Sequence, residues 1–241
     1  MNQSTYRYRC LSGSTLKIIA IIAMAIDHFA ASILYHGILL PNAPISQGTT
    51  MWTIYQIYQV MRFIGRIAFP IFCFLLVEGF LHTSNRKKYA FRLFLFALLS
   101  EFPFDFALQN TFVTWEYQNV YFTLCIGLLT IWLLDYVQES SYRIPLQMLS
   151  IFAGCVLAYL LQTDYDYKGI ILIVVLYYFH NNRSMMTLVG CLSLFWEAPA
   201  CFAFIPINMY NGKRGLSLKY FFYLFYPLHL LIYGLVLHFV F

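Results

Sequence analysis

Lys17-Ile18-Ile19-Ala20-Ile21-Ile22-Ala23-Met24-Ala25-Ile26-Asp27-His28-Phe29-Ala30-Ala31-Ser32-Ile33-Leu34-Tyr35 is the stretch that decides the fold. A lysine opens it, and the apolar run beyond is about the length a helix needs to cross a bilayer. The run superficially resembles a secretion signal, but it is too long and carries Asp27 and His28 inside, so it reads as an uncleaved first helix. The rest of the chain repeats the pattern. Of 241 residues, 61% are hydrophobic and 20% aromatic, and only 10% are charged, well under half of the ~25% usual in soluble domains. Such an excess cannot be hidden in one water-soluble core, which excludes an ordinary cytosolic enzyme, a disordered chain and a nucleic-acid module. The chain reads as all-α, a polytopic membrane bundle forming one transmembrane domain over 1–241.

About eight spans are expected, at 15–35, 58–82, 89–109, 119–138, 144–162, 168–181, 185–209 and 218–240. Pro199 and Pro206 break the seventh, so a ninth, short or re-entrant piece is the alternative there. The six cysteines are scattered without a Cys-x-x-Cys pair, so neither a metal site nor a disulfide framework is indicated. Net charge is +5, with the basic residues in short clusters. Arg7, Arg9 and Lys17, and then Arg86-Lys87-Lys88, are separated by two spans and are both expected in the cytoplasm, while the loops 36–57 and 110–118 carry no Lys or Arg. Eight simple spans would put Lys213, Arg214 and Lys219 on the opposite side, against the rule. A re-entrant 185–209 segment or a functional role would explain them.

Ionisable groups inside spans are expensive and mark function by default. Counted at 1.5 Å per residue, His28 lies about 16 Å past Lys17 and His229 about 15 Å past Lys219, which brings both imidazoles near the midplane. Arg62 and Arg66 share one face of the second span, and Glu101 and Asp105 one face of the third. Equal depths, about 18 Å for Arg66 and Glu101 and about 24 Å for Arg62 and Asp105, predict two ion pairs, Arg66–Glu101 and Arg62–Asp105. Asp27 and His28 are adjacent and point about 100° apart, so Asp27 need not orient His28. Glu78 and Asp135 sit near span ends and read as helix-end contacts. Pro227, two residues before His229, predicts a kink beside that histidine.

Taken in order, these motifs resemble the TraX family, membrane proteins associated with acetylation of pilin in conjugation systems. The resemblance runs from Leu11 to about Tyr233. It rests on Leu11-Ser12-Gly13-Ser14-Thr15-Leu16-Lys17 leading to Asp27-His28, on Arg66-Ile67-Ala68-Phe69-Pro70 with Glu78-Gly79, and on Arg92-Leu93 with Ser100-Glu101-Phe102-Pro103-Phe104-Asp105. Gln118-Asn119-Val120-Tyr121, Tyr210-Asn211-Gly212-Lys213-Arg214-Gly215 and Phe225-Tyr226-Pro227-Leu228-His229 complete it. It implies a multi-pass acyltransferase of the bacterial plasma membrane that takes acetyl-CoA as co-substrate, needs no metal and has no nucleic-acid partner. The acceptor is a pilin-like protein or a small envelope molecule bearing an amine or hydroxyl. By the same resemblance His28, in an early helix, is the catalytic residue.

The chemistry of the residues agrees with that expectation. A neutral imidazole can take the acceptor's proton, and the developing oxyanion needs a donor such as Arg66, Asn119 or His229. His28, Asp27, Glu101 and His229 are the candidate catalytic groups. Arg66, Asn119, Tyr210, Asn211, Lys213 and Arg214 are the candidate contacts for acyl-CoA, with Lys213 and Arg214 toward its phosphates. Direct transfer and an acyl-imidazole intermediate both fit. Buried Asp, Glu and His groups also suit a proton-coupled transporter, and paired charges alone suit a non-catalytic assembly factor.

Overall fold

A computed structural model describes residues 9–216 and 219–241. Arg7 and the side chain of Lys219 lie outside the described residues. Among these residues the regular structure is helical, with isolated backbone bridges at Leu11–Tyr210 and Gln118–Thr163. Helix α1 (Gly13–Phe29) continues as a π-helix over Ala30–Leu39. α2 is Thr50–Gly65, α3 Ala68–His82 and α4 Arg86–Phe104, the last running into a π-helical turn at Asp105–Gln109. α5 (Val120–Tyr136), α6 (Arg143–Leu160) and α7 (Asp166–Tyr178) follow. Then come α8 (Arg183–Ser193), a 3-10 segment Phe195–Ala203, the short α9 (Phe204–Asn208) and α10 (Lys219–Val240).

Five helical segments are long and apolar enough to cross a bilayer: Gly13–Leu39, Thr50–His82, Val120–Glu139, Arg143–Leu160 and Tyr220–Val240. The protein is therefore a multi-pass membrane protein. The other three expected spans fall short for visible reasons. α4 and its π turn carry Arg86, Lys87, Lys88, Arg92, Glu101 and Asp105. α7 has 13 residues, about 20 Å of helix. The 185–209 stretch is divided into three short pieces around Pro199 and Pro206, as its prolines foretold. One boundary differs more. The expected 36–57 loop is helical at both ends, because the first helix runs on to Leu39 and α2 already begins at Thr50, capped by the Thr49 hydroxyl accepting from Trp52 N at 3.2 Å.

The described chain forms two compact units. Unit 1 holds the residues up to Ile71, Phe102–Thr114 and Pro199–Phe241, and unit 2 holds Phe72–Glu101 and Trp115–Ala198. Neither is continuous in sequence, so the chain has no two-domain cut point. In unit 1, α1 and its π extension pack on α2 and α10, and α10 packs on the Asp105–Gln109 turn. Gly234 permits that last contact, since a Cβ there would overlap the Phe106 ring. Unit 2 packs α5, α6 and α7 on one another and α8 on α7. Gly127 lies against Ile173 and Gly154 against Thr130, the small-residue contact by which membrane helices approach closely.

Within unit 1 the end of the chain returns to its beginning. Leu11 N donates to Met209 O at 3.0 Å, Asn211 N to Leu11 O at 2.9 Å, Gly13 N to Lys213 O at 2.8 Å and Ser14 N to Arg214 O at 3.0 Å. The 209–214 loop therefore sits at the N-terminal end of α1. Eight simple crossings would have put it at the opposite end.

Candidate functional site

The two intramembrane histidines meet in unit 1. His28 Nδ1 and His229 Nε2 are 2.7 Å apart, and the two rings stack at 5.0 Å with 6° between their planes. Counting residues from the ends of two separate helices had put them at one depth. The fold puts them in contact. His229 is buried and His28 is partly exposed. Aromatic rings enclose the pair: Phe225 stacks on His229 at 4.9 Å, and Tyr226 presents its edge to both imidazoles at 5.8 Å. Tyr233 packs edge-on against His229 and donates its hydroxyl to Ala25 O at 3.3 Å.

The proton positions follow from one carbonyl. His229 Nδ1 lies 2.7 Å from Phe225 O, one turn back on α10. A carbonyl only accepts, so Nδ1 of His229 carries the hydrogen. In the neutral ring Nε2 is then a lone pair, and His28 Nδ1 must donate to it. The second nitrogen of His28, Nε2, is left as a lone pair with no share in this chain of bonds. The order carbonyl, His229, His28 thus does what a carboxylate does behind a catalytic histidine: it fixes the tautomer and steadies the ring.

Asp27 points elsewhere, as adjacent helix positions do. Its Oδ2 accepts from Arg62 Nη1 of α2 at 2.6 Å, with the two side chains only 14% and 23% exposed. Oδ1 is buried and has no hydrogen-bond partner among the described residues. Gly65, one turn after Arg62, makes the approach feasible: a Cβ at 65 would overlap the Asp27 carboxyl group. The helix then breaks at 66–67, between Arg66 and α3.

The expected Arg62–Asp105 pair is therefore corrected to Arg62–Asp27. Asp105 is fully buried, and its carboxylate accepts from Thr114 N at 2.8 Å and Gln109 Nε2 at 3.4 Å. Equal depth did not fix direction around the helix. The π turn begins at Asp105 itself, so the four-residue spacing from Glu101 no longer keeps one face. Arg66 belongs to unit 1 and Glu101 to unit 2. In unit 2, Glu101 accepts from Asn119 Nδ2, which also donates to Ala97 O at 2.8 Å, while Asn119 Oδ1 caps α5 through Tyr121 N at 3.0 Å. Asn119 is thus a buried clamp between α4 and α5.

The 210–216 loop closes on the start of α1. Tyr210 is buried, whereas Lys213 and Arg214 are exposed. Asn211 Oδ1 accepts from Lys213 N at 2.8 Å, and Ser14 Oγ from Leu216 N at 3.0 Å. Gly215 has φ +72°, and a Cβ there would strike the Ser12 and Ser14 hydroxyls. The first N–H groups of α1 are already taken, by Lys213 O, Arg214 O and Ser12 Oγ. Any anion at this end is left to the Lys213 and Arg214 side chains.

The TraX protein family matches residues 12–237, which takes in both histidines, the Asp27–Arg62 pair and the basic loop. The chain belongs to the TraX family. It is similar to the "Probable fimbrial assembly protein FimC, serogroup H1" of Dichelobacter nodosus, with 31% identity over 252 residues, 91% of this chain and 93% of the relative. No solved structure matches significantly.

This TraX chain also holds groups in unit 2 that residue counting passed over. His180 Nε2 lies 2.5 Å from Glu78 Oε1, and His82 Nδ1 donates to Glu78 O at 2.8 Å. Arg86 Nη1 meets Asp135 Oδ2 at 2.5 Å, where Tyr177 OH also donates at 3.2 Å. Glu78 and Asp135 are helix-end contacts, as expected. Their partners His180 and Tyr177 lie 102 and 42 residues further along the chain, so the only signal in sequence was their shared position near span ends.

Proposed function

We propose that this TraX protein is a membrane-embedded acyltransferase that moves an acetyl group from acetyl-CoA to an amine or hydroxyl acceptor. The observation that carries the reading is the Phe225 carbonyl–His229–His28 chain, which leaves His28 Nε2 as a fixed lone pair. In the proposed reaction Nε2 takes the acceptor's proton as the acceptor attacks the thioester carbonyl, and returns it to the departing thiolate. His229 and the carbonyl behind it stabilise the imidazolium that forms between these two events. The exposed Lys213 and Arg214 suit the phosphates of CoA. Arg66, at the break in the α2–α3 segment, is the proposed oxyanion donor. Arg62 is committed to Asp27, and Asn119 to Ala97 and Glu101.

The similar protein named for fimbrial assembly makes a pilin-like polypeptide the first acceptor to try. For topology we propose a cytoplasmic N-terminus in the bacterial plasma membrane, with Lys213 and Arg214 on the same side. The backbone pairing of 209–214 with 11–14 supports this, and a re-entrant 185–209 segment keeps the expected spans consistent with it. Cysteines placed at Gly212 and Gly215 should react with a membrane-impermeant reagent only from the cytoplasmic face.

The deciding experiment is the full chain in nanodiscs with labelled acetyl-CoA and a pilin-derived peptide. CoA release and peptide acetylation that His28→Ala abolishes, in a variant that keeps its unfolding temperature, supports the enzyme. Normal turnover in that variant removes His28 from the mechanism. Substrate-dependent proton flux in vesicles without thioester cleavage would favour transport instead.

A further inference from the structure

Helix α4 opens with cations that the chemistry proposed above does not use. Arg86 is paired with Asp135. Lys88 and Arg92 differ: among the described residues no carboxylate forms an ion pair with either side chain. Arg92 stands six residues past Arg86, about 9 Å further along the helix. Lys88, Phe91, Arg92, Leu95 and Leu99 repeat at the spacing of one helix face, on which Phe91, Leu95 and Leu99 are 65%, 40% and 55% exposed. Leu93, Ala97 and Ser100 are buried on the opposite face, and Glu101 is held by Asn119 of α5. An exposed apolar face of this length belongs against acyl chains. A cation at its head is costly there unless an anion reaches it.

Local packing aims Arg92 back toward the start of α4. Its guanidinium carbon lies 5.9 Å from the centre of the Tyr89 ring, one turn back. The Tyr89 hydroxyl in turn sits against Gly79 of α3, where a Cβ would come within 2.9 Å of it. Nε of Arg92 is buried without a hydrogen-bond partner among the described residues, so the side chain is packed down along its length and the terminal Nη groups remain for a ligand. Such a planar fork fits two oxygens of a phosphate, and Lys88, one turn nearer the helix start, adds a point charge. Long cationic side chains near the end of an apolar helix reach the headgroup level in this way.

We propose that the start of α4 binds one anionic phospholipid, with the phosphate between Lys88 and Arg92 and an acyl chain along Leu95 and Leu99. One molecule answers both halves of the face. Its phosphate is the counter-charge that no described carboxylate provides, and its chain covers the apolar stripe. A headgroup of net negative charge is selected over a zwitterionic one, because residues 86–100 include Lys87, Lys88 and Arg92 but no Asp or Glu to receive an ammonium or choline. The site draws on unit 2 alone and does not depend on the acyl-transfer reading.

The test places the full chain in phosphatidylcholine vesicles with a trace of photoactivatable lipid, its diazirine in the acyl chain and its headgroup either phosphatidylglycerol or phosphatidylcholine. Peptide mapping reads the ratio of the two labels on residues 93–102. The exposed face of α6 through Met148, Phe152 and Tyr159 carries no cation and is the internal reference. At about 0.5 M salt the screening length is roughly 4 Å, so diffuse attraction is removed and direct contact remains. The wild-type ratio should favour phosphatidylglycerol about tenfold or more on α4 and stay near one on α6. Lys88→Gln and Arg92→Gln should each lower the α4 ratio about fivefold, while Lys87→Gln, about 100° around the helix, changes it less than about twofold. Lys88 is exposed, so its variant decides the matter even where Arg92→Gln folds poorly. A wild-type ratio near one on α4 overturns the proposal. So does equal enrichment on α6, or a loss in Lys87→Gln as large as that in Lys88→Gln.

Discussion

Replacing either member of the Asp27–Arg62 pair should cost far more than the same change costs at a surface ion pair, and replacing both should cost little more than replacing one. The two charged atoms are 2.6 Å apart with side chains 14% and 23% exposed. At an effective dielectric near 20 their gross attraction is roughly 6 kcal/mol, and desolvation of the two ions cancels much of it. Removing one partner keeps the other's desolvation cost without the attraction, for which about 3–5 kcal/mol is typical. Asp27→Asn and Arg62→Met should each destabilise by about 3 kcal/mol, and the double variant by nearly the same amount, giving a coupling of about 2–3 kcal/mol. Arg62→Met keeps the length of the side chain, and Asp27→Asn keeps the volume against Gly65. The assay is equilibrium unfolding of the purified chain in detergent, followed by tryptophan fluorescence. Additive single changes, within about 0.5 kcal/mol, would refute the pairing and return Arg62 to Asp105 or to solvent.

Gly65→Ala should destabilise by about 1–3 kcal/mol, since its methyl falls on the Asp27 carboxyl, and unfolding should show the loss shrinking when Asp27 is also cut to Ala. Asn119→Ala removes the α5 cap together with donors to Ala97 and Glu101, and a lowered unfolding midpoint equal to about 2–4 kcal/mol is expected. His229→Ala frees His28 to take either tautomer; kcat for acyl transfer should fall at least about a hundredfold while the KM for acetyl-CoA moves little. Lys213→Ala with Arg214→Ala should do the reverse, raising the acetyl-CoA KM about tenfold, and salt should then inhibit the double variant less than the wild type.

Sequence carried most of what depends on one helix at a time. The prolines that divide 185–209 and the matched depths of His28 and His229 are local arithmetic and survive in the fold, whereas five of the eight expected spans stand as helices long and apolar enough to cross. What failed needed the direction of a side chain around its helix. Arg62 and Asp105 matched in depth and sign, yet Asp105 turns into its own π-helical corner and Arg62 toward α1. The basic 210–216 loop misled for a related reason. Counting crossings assumes that each apolar run crosses, whereas α8, the 3-10 segment and α9 are too short and too broken to settle that by hydropathy.

The two adjacent polar residues near the C-terminal end of α1 show why direction matters more than depth in this chain. Asp27 and His28 differ by one residue, about 1.5 Å of rise, but by about 100° of rotation. That rotation sends the carboxylate to Arg62 on α2 and the imidazole to His229 on α10. One helix thus reaches both neighbours in unit 1 through two adjacent polar side chains. The α geometry ends at Phe29, directly after them, and a π-helix runs from Ala30. A π-helical stretch has a wider turn, so the residues beyond it no longer repeat the rotation of those before. Were α1 regular to Leu39, its outer half would present a different face to α2 and α10, both of which pack on the π segment as well as on α1. The π segment lets α1 aim two adjacent groups at two different helices and still bury its second half between those same helices. Long π-helical turns are uncommon and concentrate at functional sites; here one begins two residues after the Asp27–His28 pair, whose imidazole the proposed chemistry uses.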